Sequence, residues 1–176
     1  MPHYIRSFVP GGTFFFTVAV RDRGSDLLVE EVERLRSSYR EVQRLHPFAT
    51  VAICILPDHL HAVWELPPGD ADFALRWQQI KRRFSSGLRK SAKIGASHAR
   101  KREKGIWQRR YWEHQIRDEE DLARHVDYVH FNPVKHGHAI RVEDWPYSSF
   151  HRWVERGHLP EQWGLVAAPG GTFGEG

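Results

Sequence analysis

Ala49-Thr50-Val51-Ala52-Ile53-Cys54-Ile55-Leu56-Pro57-Asp58-His59-Leu60-His61-Ala62-Val63-Trp64-Glu65-Leu66 reads as two strands back to back. The first half is apolar and rich in β-branched residues, the composition of a buried strand. The second half alternates enough to be its hairpin partner. Side chains two apart on a strand share a face, so His59 and His61 project together from one side of a sheet. Two imidazoles so placed are a natural half of a metal site. With twelve histidines in the chain, the spacing alone fits a hydrogen-bonded surface histidine and a chance neighbour equally well.

Working outward, the pattern predicts strand 13–20, helix 27–45, strand 48–56, strand 59–66, helix 72–90, strand 112–117 and helix 119–132. Leu28, Val32, Leu35, Tyr39 and Val42 mark the buried stripe of the first helix, and Phe73, Trp77, Ile80 and Phe84 that of the second. This order predicts an α+β fold of ferredoxin-like (RRM-like) type. It is an antiparallel sheet with helices packed on one face, to which the last helix and a C-terminal extension are added. The His59–His61 strand is expected to be central. In the last helix, Asp118 to Asp121 form an acidic start suited to the helix dipole. Leu122, Val126 and Val129 follow as its buried stripe, and Asp121, His125, Tyr128 and Asn132 fall together on an adjacent face. Pro133 is expected to end this helix, with Gly137 marking the exit. A tyrosine and an amide on a helix flank are commonly edge-of-core packing. Beside a His-x-His strand they look like a nucleophile and a third metal ligand.

The 176 residues suffice for one domain, expected over 1–165, with 166–176 as a flexible tail lacking any core-forming pattern. No run of about eighteen apolar residues exists, and the first residues lack the apolar stretch of a secretion signal. Cys54, the single cysteine, has no internal disulfide partner. Together these predict a cytoplasmic setting. Net charge is +4, but eleven Lys or Arg against one Glu between Arg76 and Lys104 give that stretch +10, leaving −6 elsewhere. Such a concentration suits a polyphosphate partner, although charge runs are commonly just solvated helix faces. Lys81, Arg82 and Arg83 lie off the apolar stripe of their helix, and the stretch near 91–105 reads as a basic loop.

Three stretches carry a resemblance: Leu56-Pro57-Asp58-His59-Leu60-His61, Ile106 to His114 (Ile-Trp-Gln-Arg-Arg-Tyr-Trp-Glu-His), and Val126 to Gly137 (Val-Asp-Tyr-Val-His-Phe-Asn-Pro-Val-Lys-His-Gly). In this order they resemble the single-tyrosine HUH transposases, and within them the REP-associated tyrosine transposases, relatives found beside bacterial repetitive extragenic palindromes. The resemblance runs from Gly11 to about Trp163. One departure is Asp58, where the wider superfamily often carries asparagine.

The resemblance implies a metal-dependent single-stranded DNA endonuclease and strand transferase. It would cleave and rejoin DNA at REP-type hairpins through a 5′-phosphotyrosine on Tyr128. His59, His61 and Asn132 would hold Mg²⁺ or Mn²⁺, three neutral ligands that suit a weakly held, substrate-shared ion. Arg82, Arg83, Arg109 and Arg110, together with Lys81, are expected to contact phosphates. Trp107, Tyr111 and Trp112 are expected to stack unpaired bases unless they belong to the core. A non-catalytic nucleic-acid-binding module derived from a transposase is the main alternative, and a water-using metal hydrolase is a third. A monomer is expected rather than a dimer.

Overall fold

The structure, a computed structural model, describes residues 9–89, 104–165 and 173. The secondary structure runs β1 (Thr13–Ala19), α1 (Leu27–Glu30), α2 (Val32–Leu45), β2 (Ala49–Ile55), β3 (His59–Glu65), α3 (Phe73–Ser86), β4 (Trp112–Gln115), α4 (Glu119–Lys135), a 3-10 turn (Val142–Asp144) and α5 (Phe150–Glu155). The four strands form one antiparallel sheet in the order β2-β3-β1-β4, the ferredoxin-like arrangement with the histidine strand inside. Of the basic loop expected near 91–105, only Lys104 and Gly105 are described. Of the expected tail 166–176, only Phe173 is described.

Both faces of the sheet are buried, because each strand sends alternate side chains to a different helix layer. Phe14, Phe16, Val18, Leu60, Ala62 and Trp64 meet α1, α2 and α3 on one face. Trp64 is held there between Trp77 and Phe48, with ring centroids 4.2 and 4.1 Å away. Phe15, Val63, Ala52 and Cys54 meet Val126, Tyr128 and Val129 of α4 on the other. The two crossover helices therefore share one face, and the tyrosine helix has the opposite face. A bulge at Val51 lets β2 keep its apolar side chains facing both layers.

The strands end within two residues of expectation, and each of the three expected helices departs from it. The first helix breaks at Glu31, whose backbone leaves the helical region (φ −106°, ψ 27°), while Leu28 N–H ties the short α1 to Pro57 O. The second stops at Ser86, where the Lys104 ammonium donates to the carbonyls of Ser85, Ser86 and Leu88 at 2.8, 2.8 and 2.6 Å. A cation there satisfies the orphan carbonyls of a helix end. The third is the most consequential: α4 does not end at Asn132 but carries Pro133 inside it and continues to Lys135. Proline forfeits one backbone donor and crowds the preceding turn, yet His136 N–H still donates to Asn132 O at 3.0 Å, closing another turn.

The aromatic C-terminal segment covers the exposed edge of β2. Tyr147 O accepts from Ile55 N–H, Ser149 N–H donates to Ile53 O, and the indoles of Trp145 and Trp153 donate to Ile55 O and Val51 O. Capping an edge in this way removes a template for unwanted strand pairing. Among the described residues, no helix is long and apolar enough to cross a membrane.

Candidate active site

The face of the sheet beneath α4 carries the site. Thr17 pairs with His61 in the β1–β3 register, and Ala19 pairs with His59. Each imidazole is held at Nδ1. Thr17 Oγ1 lies 2.9 Å from His61 Nδ1, and Asp58 Oδ1 lies 2.6 Å from His59 Nδ1. Asp58 also accepts from Arg23 at 2.9 Å. Burial pushes the Asp58 carboxyl up, but the hydrogen bonds to His59 and Arg23 outweigh it and hold the group below its usual range. An ionised carboxylate only accepts, so His59 carries its proton on Nδ1 and keeps the Nε2 lone pair.

Burial also lowers His59, and it lowers His61 further, with the charges on His59, His136 and Lys135 adding to the effect. Both rings are therefore neutral near pH 7, the state a metal requires. His61 Nε2 and the Oδ1 and Nδ2 of Asn132 are fully buried without a well-formed hydrogen bond, although the Asn132 side chain stands near enough to His61 to favour its charged form weakly. A buried polar atom left unpaired costs about 1–3 kcal/mol. The imidazole lone pair and the amide oxygen are donors of the kind a divalent cation takes, and these residues fit such an ion.

Tyr128 sits one turn before Asn132. Its ring meets His61 edge-on at 5.2 Å, and the Lys135 ammonium approaches its hydroxyl at 3.5 Å. Phe173 stacks on the tyrosine at 3.9 Å and 18°, so this residue of the expected tail is buried against the site. The structure thus brings Tyr128, His59, His61 and Asn132 together on facing elements of one chain. It adds Thr17, Asp58 and Lys135, and it brings in His136 from the last of the three quoted stretches. Burial at the site pushes His136 down to about 4, with His59 and Lys135 contributing. The spacing 128, 132, 136 was the available signal, hidden by reading Pro133 as a terminus.

Among the described residues, two clusters of His, Cys or acidic side chains have potential ligand atoms within 4.8 Å of one another: His59, His61, His136 and, beyond Phe15, His114, Asp121, His125. The second is already satisfied. Asp121, 1% exposed, accepts from His114 Nε2 at 2.8 Å and Arg117 N–H at 3.0 Å, and Arg117 and Arg124 flank it. It clamps the start of α4 to β4 and so aims the tyrosine.

The residues expected to meet DNA divide into two groups. Trp107, 8% exposed, packs on Phe84 in the core and offers no free face to a base. Tyr111 packs against the same core, with the Lys81 ammonium over its ring at 5.2 Å. Lys81 also donates to Gln108 O at 2.8 Å, anchoring the segment before β4. Arg82 is exposed, whereas Arg83 is half-buried with Nε unpaired. Arg76 and Lys104, within the basic stretch, serve the fold, Arg76 through Asp70 and three backbone carbonyls. Arg109 and Arg110 are exposed just after Gln108, whose N–H donates to Ala19 O, at the His59 end of the sheet. Trp112, 48% exposed, lies across β1 from His61 in register with Thr17, on the same face.

The sequence family described as "Transposase IS200 like" matches residues 15–132. A protein of Haemophilus influenzae assigned as a REP-associated tyrosine transposase is 47% identical over 165 residues, covering 93% of this chain and 94% of that protein. The REP-associated tyrosine transposase of Escherichia coli is 45% identical, covering 93% and 91%. A solved structure of a REP-associated tyrosine transposase bound to a REP hairpin superposes with a TM-score of 0.82 at 43% identity, over 99% of this chain and all of that one.

Proposed function

The chain belongs to the IS200-like transposase family, in its REP-associated tyrosine branch, and from this we propose that it cuts and rejoins single-stranded DNA beside a REP-type hairpin through a covalent bond to Tyr128. The observation that carries the reading is the buried Tyr128 facing His61 and the Asn132 amide, whose buried polar atoms make no well-formed hydrogen bond. The hairpin-bound relative supports the substrate.

Tyr128 is the nucleophile. Its phenolic oxygen attacks the scissile phosphorus, the Tyr–O–P bond forms, and the bond from phosphorus to the 3′-oxygen breaks. The phenol has an ordinary pKa of about 10, so its proton must leave during attack, and the departing 3′-oxygen must gain one. Lys135 stands beside the phenolic oxygen and supplies positive charge where negative charge develops. The product is a 5′-phosphotyrosine and a free 3′-hydroxyl. Attack by a 3′-hydroxyl runs the same step backwards and joins strands without ATP. His59, His61 and Asn132 would hold Mg²⁺ or Mn²⁺, whose Lewis acidity on the phosphate oxygens is the chemistry it supplies when bound. Imidazole donors favour Mn²⁺ of the two. Arg109 and Arg110 would hold the backbone near His59, and Trp112 would stack an unpaired base. Nucleophile and ligands come from one chain, which supports a monomer cutting in cis.

The test is incubation of the protein with Mn²⁺ and end-labelled hairpin DNA bearing a single-stranded flank, followed by a denaturing gel. Wild type is expected to carry label, and Tyr128→Phe and His59→Ala to bind the hairpin without doing so. Binding by wild type with no adduct under any divalent ion favours the non-catalytic binding module instead.

A further inference from the structure

A third imidazole stands beside the two that the metal reading uses. Resting on that reading, we propose that His136 is itself a ligand of the divalent ion, so that the centre is three imidazoles and an amide. His136 follows Asn132 by four residues and Tyr128 by eight, so nucleophile, amide and imidazole stack along one side of α4. The turn that places it is closed by its own N–H on Asn132 O at 3.0 Å. Its ring lies 5.1 Å from that of His59, at 78°, and the His59 and His61 rings lie 4.9 Å apart at 85°. His59 thus meets both other rings edge-on instead of stacking on them.

One ligand nitrogen from each of the three imidazoles lies within 4.8 Å of the other two. Three nitrogens bound at about 2.1 Å to one ion stand no more than about 3.6 Å apart on average. Binding therefore draws the rings together, a side-chain adjustment open to His136 because it is exposed at the helix end. His138 does not belong to the set: its ring is 6.3 Å from that of His136 and packs on Trp145. The helix extension through Pro133 therefore has a use, since a helix stopping at Asn132 would not fix residue 136 over the histidine strand.

Mn²⁺ binding without DNA tests this. The ion is titrated into full-length wild type, His136→Ala, His59→Ala and His61→Ala, and free Mn²⁺ is read from its six-line electron paramagnetic resonance signal. Pulsed resonance on the loaded proteins counts coupled imidazole nitrogens. His136→Ala is expected to weaken binding about tenfold or more, and the count to fall from three imidazoles in wild type to two. Two imidazoles in wild type, with His136→Ala binding as wild type, overturns the ligand role while leaving the metal reading intact. Undiminished binding by His59→Ala and His61→Ala as well brings down both.

Discussion

At the scale of single residues, the site is built from groups that hold other groups still. Thr17 and Asp58 each occupy the Nδ1 of one histidine, and so leave Nε2 as the nitrogen that would face the proposed ion. Partners of this kind are commonly worth 10- to 100-fold in metal affinity. Thr17→Val keeps the shape of the side chain and removes its hydrogen bond. It is expected to weaken Mn²⁺ binding about tenfold while leaving hairpin affinity in the absence of metal unchanged, measured by calorimetry and by fluorescence anisotropy. Metal affinity equal to wild type would mean that packing alone orients His61, which stacks on Phe15 with ring centroids 5.6 Å apart.

At the scale of elements, α4 carries Tyr128, the proposed nucleophile, and its first turn is clamped to the sheet. Asp118 caps the helix by accepting from Asp121 N–H at 2.8 Å, and the Asp121 carboxylate joins the helix to His114 of β4. Burial pushes Asp121 up, but the hydrogen bonds from His114 and the Arg117 amide hold it far below the usual carboxylate range. A carboxylate depressed in the folded state stabilises above its unfolded pKa of about 3.9, and that contribution is lost as pH falls through the folded value. Asp121→Asn is therefore expected to cost about 2–3 kcal/mol at pH 7, with the deficit shrinking below about pH 4. Urea denaturation of both proteins at pH 7 and pH 3 checks it, and a deficit that grows toward pH 3 would contradict the sign. The same helix marks where the sequence could and could not be read. The strand pairing, the histidine face and the line Asp121, His125, Tyr128, Asn132 followed from periodicity, because burial enforces it. His136 did not, because proline is locally a helix breaker, and only the tertiary packing of α4 on the sheet carries the helix past Pro133. For Trp107 the sequence left a base contact and a core position both open, and its bridge to Val20 and its packing on Phe84 put it in the core.

For the whole molecule, the sheet separates two tasks. One face, filled by Trp64, Trp77 and the phenylalanines, provides the stability, and the other carries the polar site with α4 laid across it. Arg109 and Arg110 are exposed at the end of the sheet where Ala19 pairs with His59, and they are the proposed phosphate contacts there. Each phosphate contact on a single strand contributes about 0.7 to the slope of log affinity against log salt. Arg109→Gln with Arg110→Gln is expected to weaken hairpin binding and flatten that slope by about 1 to 1.5, whatever the DNA sequence. An unchanged slope would move the phosphate track elsewhere, with Arg82 the next exposed candidate. The central claim is that the phosphorus is passed to Tyr128 and not to water. It is tested most directly by digesting the adduct formed with Mn²⁺ and hairpin DNA and locating the nucleotide by mass spectrometry. The account predicts a nucleotide mass on the peptide containing Tyr128 and a free 3′-hydroxyl on the released strand. Cleaved DNA bearing a free 5′-phosphate, with every tyrosine peptide unmodified, would contradict it.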